Sequence, residues 1–213
     1  QLFYDYYLFT GDRKFLAERA IPWLKEVALF YEGFLYKGPF GKLYFSPSIS
    51  PENWPNGEGL RMLCTNATMD VAVCREVLTT LCDGCELLGI EPKGVKRWRA
   101  ILGDLPDYEV AEDGAFREWL HPKFPEQYAQ RHQSHLYPFF PGIEITQEDN
   151  PDMHEACRIA VEKRLITGLN SHTGWSLAHM ANIFARMGEH DRTLECLELI
   201  VRACAAPNLF THA

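Results

Sequence analysis

No apolar run in this chain approaches the roughly 20 residues that a membrane span needs, and no charged-then-apolar leader opens it. A long basic run is missing as well. With a net charge of −8 the surface offers no stripe for a phosphate backbone, so nucleic acid and membrane are both poor partners. Cys82-x-x-Cys85 has no second pair to complete a zinc site, and a redox reading of it needs a preceding strand where the periodicity is helical. No G-x-S-x-G elbow surrounds a serine, so Ser176 with a distant histidine is not read as a nucleophile. No fixed repeat period and no run of alternating strands is visible.

What is present is enough for one sizeable core. Of 213 residues, 46% are hydrophobic and 13% aromatic, while the 23% that are charged do not make a disordered composition. The seven cysteines are odd in number and fall mostly inside helical patterns, which predicts buried reduced thiols and leans towards a cytoplasmic location. Asn66-Ala67-Thr68 has the pattern of a glycosylation acceptor, which a reduced protein has no occasion to use. The opening Gln1-Leu2-Phe3-Tyr4 reads as mid-helix without a methionine, so the expected natural start lies further upstream.

Spacing in threes and fours predicts helices over residues 2–9, 12–34, 66–88, 93–102, 152–165, 173–187 and 191–204. Asp12 is placed to cap the second and Gly89 to stop the third, and Pro22 either kinks the second or marks its true start. The third is expected to bury Met69, Val73, Val77, Leu81 and Leu88. Short strands are possible at 43–46 and 107–110. Between the helices lie two long polar, aromatic loops, at 38–63 and 103–140. Stacked helix pairs with long loops gathered at one end make a rigid frame for a site.

The densest chemistry sits in the second loop. Glu118 adjoins Trp119, and Arg131 and His132 follow, with His135 one helical turn on. A carboxyl group to move a proton, an indole to pack on a ring, and a guanidinium and imidazoles to hold hydroxyls suit a sugar-cleaving pocket. Beside an indole and partly out of water, a carboxylic acid keeps its proton more readily, as a general acid must. The alternative for Glu118 is a surface glutamate paired with Arg117 or Lys123. Arg131 suits sugar hydroxyls or a role holding Glu118. His132 and His135 have a metal-ligand spacing, but no third ligand stands at a matching one, so no metal is expected. In the first loop, Pro47 and Pro51 fix a segment that ends in Glu52, Asn53 and Trp54. Asn53 there either faces a substrate or caps backbone groups. Trp175, at the head of the sixth helix of this series, either walls a pocket or fills the core.

In order along the chain stand Thr10-Gly11-Asp12, Pro47-Ser48-x-Ser50-Pro51-Glu52-Asn53, Thr68-Met69-Asp70, Glu118-Trp119, Arg131-His132-x-Ser134-His135-Leu136, Pro141-Gly142, Thr173-Gly174-Trp175-Ser176, Ala185-Arg186-Met187 and Pro207-Asn208-Leu209-Phe210. This ordered set resembles glycoside hydrolase family 95, the α-L-fucosidases, with some members acting on α-L-galactosides. The resemblance implies that residues 1–213 are part of one all-α (α/α)6 barrel catalytic domain, incomplete, with long loops at one end. It implies hydrolysis of terminal α-1,2-linked L-fucose from a fucosylated oligosaccharide or glycan, with inversion and with no metal or organic cofactor. Glu118 falls on the family's general acid, and Arg131 and His132 on its sugar-lining pair. Glu52 is then expected to contact substrate, with Trp54 and Trp119 beside it and with Asn53, His135 and Trp175 as structural neighbours. The family's water-activating groups, an upstream Asn-x-Asn pair and a downstream aspartate, are not in this chain. Flanking segments of the same domain are therefore expected partners, and the chain by itself is expected to be inactive or nearly so.

Two rival readings fit the same residues. One is a non-catalytic carbohydrate-binding or scaffold protein on a degenerate helical barrel. The other is a polysaccharide lyase that would draft Tyr128 or Tyr137 with Arg131.

Overall fold

The computed structural model describes residues 1–38, 41–55 and 63–211. The part of the first long loop around Gly57 and Gly59 lies outside the described residues. The chain is mostly helical, in the order α1 (Leu2–Thr10), α2 (Arg13–Phe15), α3 (Ile21–Phe34), α4 (Thr68–Leu88), α5 (Pro92–Asp104), α6 (Pro151–Thr167), α7 (Gly174–Met187) and α8 (His190–Leu199). Two short strands, β1 (Tyr36–Lys37) and β2 (Leu43–Tyr44), pair antiparallel, so the expected strand near 43–46 is present. Among the described residues no helix is long and apolar enough to cross a membrane.

Local chemistry accounts for the helix ends. The Asp12 carboxylate accepts the N–H of Phe15 at 2.9 Å, which caps α2 as expected. Pro22 has no N–H to donate. It stands at the start of α3, just past a π-helical turn at Leu16–Ala20, so the helical run widens there instead of breaking. Gly89 takes the left-handed conformation and its N–H closes on the carbonyls of Cys85 and Glu86, ending α4. Thr173 and Ser176 form a reciprocal capping box at the head of α7.

The core divides into two clusters. The first joins Leu16, Ile21, Leu24, Val71, Leu78, Leu81 and Trp98 from the α3–α4–α5 layer; the second joins Cys157, Val161, Leu177, Met180, Phe184 and Cys196 from α6, α7 and α8. Tyr108 packs against both. In α4 the expected stripe is shifted. Val71, Cys74, Leu78, Leu81, Cys82 and Cys85 are buried, whereas Met69, Val73 and Val77 are only half-buried. Small cysteine and alanine side chains let neighbouring helices approach on that face. In α3, Trp23 and Phe30 lie exposed despite their apolar spacing, Trp23 stacked on Phe3 and Phe30 on Phe34. All seven cysteines are buried and unpaired. Asn66 is buried too, its side-chain oxygen accepting the N–H of Phe45 at 2.9 Å, so the sequon is a structural element and not a sugar acceptor.

The two long loops pack on each other. Ser48 and Cys64 bridge within the first, and Ala67 bridges to Trp119 of the second. A third small cluster of Cys64, Ala67 and Trp119, with Phe124 against it, seals the junction.

Candidate active site

Loop 46–53 is fastened to the head of α4. The Ser48 hydroxyl donates to Asp70 at 2.6 Å and accepts the N–H of Ala67 at 2.9 Å. Burial pushes the Asp70 carboxyl above its usual range, against the pull of the Ser48 hydroxyl and the Ile49 N–H. Past this anchor the loop turns tightly, with the N–H of Asn53 on the carbonyl of Ser50 at 3.0 Å and Glu52 in the left-handed region at φ 54°.

That turn sends adjacent side chains opposite ways. Ser50 and Asn53 point inward, both onto Glu118. The Ser50 hydroxyl meets Oε1 at 2.5 Å, and the Asn53 amide meets Oε2 at 2.5 Å. The Asn53 amide also reaches the carbonyl of Gln127 at 3.3 Å. A third donor on Glu118 comes from α6: Nη2 of Arg164 pairs with Oε2, and its Nη1 donates to the carbonyl of His132. Glu118 and Arg164 are each 1% exposed. An ion pair so far from water persists only when its hydrogen-bonding capacity is met, and here Ser50, Asn53 and the His132 carbonyl meet most of it.

Glu52 points outward to the rim. Its Oε2 joins Nη2 of Arg131 and, at 2.5 Å, Nε2 of His132. The His132 hydrogen bond first, then the Arg131 charge, hold the Glu52 carboxyl below its usual range. The Gln130 amide donates to the Glu52 carbonyl at 2.5 Å and so ties the two loops at this point. The result is two layers: an exposed Glu52–Arg131–His132 rim and, one residue along the loop, a closed Ser50–Asn53–Glu118–Arg164 interior.

Several expected placements are corrected. Trp119 is fully buried in the third cluster and does not wall a cavity with Glu118. The two residues are neighbours in sequence, but Trp119 packs on Cys64 and Ala67 while the Glu118 carboxyl meets Ser50 and Asn53. The contacts of the Glu118 carboxyl are polar, to Ser50, Asn53 and Arg164, and it is a buried group, not a surface glutamate on Arg117 or Lys123. Arg131 pairs with Glu52, and Arg164 is the residue that holds Glu118. His132 and His135 part company. Only Ser134–Leu136 is helical there, as a tight 3-10 turn, so His132 stays at the rim while His135 is buried. Burial, then the Arg164 charge, keep His135 well below the ordinary histidine range. Trp175 is 71% exposed and fills no core, and Trp54 is also exposed beside Asn53. Tyr128 donates to Asp113 at 2.9 Å, and Tyr137 is engaged with Glu76, so neither tyrosine joins Arg131 as a lyase would need.

Arg164, Glu126 and Ser50 belong to the site but are not among the candidates that the sequence singles out. Arg164 carried a signal. Cys157, Ala160, Val161, Arg164 and Leu165 share one helical stripe, so an arginine stands where the core demands an apolar side chain. Glu126 carried none, because it lies in irregular chain.

Scaffold and site together define a mostly helical protein with a loop-built, carboxylate-centred polar site. The family profile described as the glycosyl hydrolase family 95 catalytic domain matches residues 1–213, and the chain belongs to that family. It is similar to alpha-L-fucosidase 2 of Arabidopsis thaliana, 31% identical over 188 residues that cover 86% of this chain and 22% of that protein. It is also similar to the probable alpha-fucosidase A of Aspergillus niger, 24% identical over 216 residues that cover 97% of this chain and 27% of that one. The chain thus spans about a quarter of the length of these curated relatives.

Proposed function

We propose that this chain carries the acid half of an inverting α-L-fucosidase site on an (α/α)6 barrel, acting on terminal α-1,2-linked L-fucose. The observation that carries the reading is the convergence of Ser50, Asn53 and Arg164 on the Glu118 carboxyl group, directly behind the Glu52–Arg131–His132 rim. Glu118, taking up a proton as it leaves its pairing with Arg164, gives that proton to the glycosidic oxygen while water attacks the anomeric carbon from the opposite face; the glycosidic bond breaks, the leaving sugar departs as the alcohol and the water becomes the new anomeric hydroxyl. Arg131 and His132 present donors, and Glu52 an acceptor, to the hydroxyls of the fucose ring. Ser50 and Asn53 hold the carboxyl group in one rotamer. The group is closed off from solvent, so the reading requires the 46–53 loop to open as sugar enters.

The test is hydrolysis of 2′-fucosyllactose by the protein expressed from its complete gene, with the released sugar followed by proton NMR. Inversion gives β-L-fucose as the first product. Initial release of α-L-fucose, or no release, overturns the reading.

The closure of Glu118 favours one second reading: a scaffold that binds fucosylated glycan at the rim without cleaving it, with Glu118 serving only as the partner of Arg164. Glu118→Gln separates the two. Loss of turnover with sugar binding intact supports the acid, whereas calorimetric binding with no turnover in the parent protein supports the scaffold.

A further inference from the structure

We propose that Glu126 is the positioning residue of Glu118, fixing its peptide N–H and, through Arg117, the loop that closes behind it. The proposal rests on the reading of Glu118 as proton donor. Residues 117–120 pair with the head of α4 through an isolated antiparallel bridge, where Thr68 N–H donates to the Glu118 carbonyl at 3.0 Å, Leu120 N–H to the Asn66 carbonyl at 2.9 Å, and the Thr68 hydroxyl to the Arg117 carbonyl at 2.6 Å. That pairing fixes where the segment lies. The N–H of Glu118 itself is taken by Oε2 of Glu126 at 3.0 Å, a side chain eight residues on.

The other oxygen of Glu126 closes a ring. Oε1 accepts from Nε of Arg117 at 3.3 Å, and Nη2 of Arg117 donates to the carbonyls of His121 at 3.0 Å and Phe124 at 2.6 Å. Nη1 of Arg117 holds Glu109 at 2.9 Å. The chain between 118 and 126 is therefore wound around one guanidinium, and the carboxylate that ends the winding returns to residue 118. Ion-paired side chains of low exposure in irregular chain stand where backbone geometry must be specified without help from a helix or sheet.

The groups facing Glu126 are Arg117, the Glu118 peptide and carboxyl, and, across Arg117, Glu109; Tyr128 lies near enough to feel its charge. Burial pushes the Glu126 carboxyl up to about 7, against the pull of the Glu118 N–H and Arg117. The strength of the hold therefore changes across neutral pH.

Hydrogen exchange at the Glu118 amide and steady-state kinetics on 2′-fucosyllactose test this in the parent, Glu126→Leu and Glu126→Gln. Glutamine keeps an oxygen for the Glu118 N–H, and leucine does not. Expected is an exchange rate at Glu118 raised at least about tenfold in the leucine variant and kept within about twofold in the glutamine variant. Expected also is a fall in kcat of about 10- to 100-fold for leucine with KM within about twofold, largely rescued by glutamine. Parent-like exchange and kcat in Glu126→Leu overturn the proposal. Should the leucine variant not fold, Glu126→Ala, which removes the same oxygen without added apolar bulk, decides by the same readouts: raised Glu118 exchange with lowered kcat supports the proposal, and parent-like values of both overturn it. A parent without turnover, with Glu118 exchange still governed by residue 126, sinks the proton-donor reading and leaves the positioning intact.

Discussion

Arg164 and Glu118, 46 residues apart in sequence, meet as a buried ion pair that ties helix α6 to the junction of the two long loops. Removing one partner leaves an uncompensated charge away from water. Arg164→Leu is expected to destabilise the fold by about 3–5 kcal/mol, read as a lowered midpoint in urea. Replacing both, as Arg164→Leu with Glu118→Leu, removes the stranded charge and is expected to recover a large part of that loss, although it abolishes any activity. A double variant as unstable as the single one would show that the pair is not the source of the effect.

Asn53 and Ser50 cover the same carboxyl group from the other side, so their loss is expected to act on chemistry more than on folding. Asn53→Ala removes the amide on Oε2 and leaves Arg164 in place, which predicts a drop in kcat of about 10²-fold with KM little changed. Asn53→Asp sets a second carboxyl group against Glu118 and is expected to be worse than alanine at neutral pH and to regain ground as the pH is lowered. Equal activity of the two variants at every pH would speak against direct contact.

Much of this arrangement was legible in the sequence, and the misses have physical causes. Glu118, Asn53, Glu52, Arg131 and His132 could be singled out because polar groups in loops between strongly periodic helices have few structural tasks. The helices themselves followed from spacing, with Asp12 and Gly89 marking ends. What failed was direction. Adjacency of Glu118 and Trp119 suggested one shared cavity, but the two side chains enter separate surroundings, Trp119 the Cys64–Ala67 cluster and Glu118 the polar contacts of Ser50 and Asn53. The spacing of His132 and His135 suggested one helical face, but only the second lies in a helical turn. Partners from distant elements, such as Arg164 and Glu126 on Glu118, have no local pattern that links them; at best a lone arginine on an apolar stripe announces that a carboxylate waits elsewhere.

The rim is exposed, and its ion pairs are screened by water, so their worth lies in recognition. Arg131→Ala is expected to raise KM or the fucose dissociation constant about tenfold while shifting the melting temperature by no more than about 1 °C. The Glu52 carboxyl is held low by His132 and Arg131, so it stays charged as an acceptor through mildly acidic pH. Loss of sugar affinity in Glu52→Gln should therefore be nearly constant between about pH 5.5 and 7.5. A fall in affinity confined to the alkaline end would contradict the assignment.

His135 sets an acid limit on stability. Its folded-state pKa is depressed by burial and by the Arg164 and His179 charges, so the folded chain keeps it neutral where the unfolded chain takes up a proton. The sign follows from linkage. As pH falls below the unfolded value of about 6.5, the unfolded state binds more protons than the folded one, and stability is lost. His172 and His179, also depressed by burial, act in the same direction, whereas Glu126 and Asp70, raised by burial, act in the opposite one. The single-residue effect is isolated by comparing His135→Leu with the parent from pH 7 to 5 in urea. The parent is expected to lose stability more steeply, by up to about 1.4 kcal/mol per pH unit for one proton, and the variant to show a correspondingly flatter profile whatever its stability at pH 7. Parallel profiles would mean that the His135 imidazole takes up its proton in the folded chain as readily as in water, which a side chain 1% exposed and beside a guanidinium should not do.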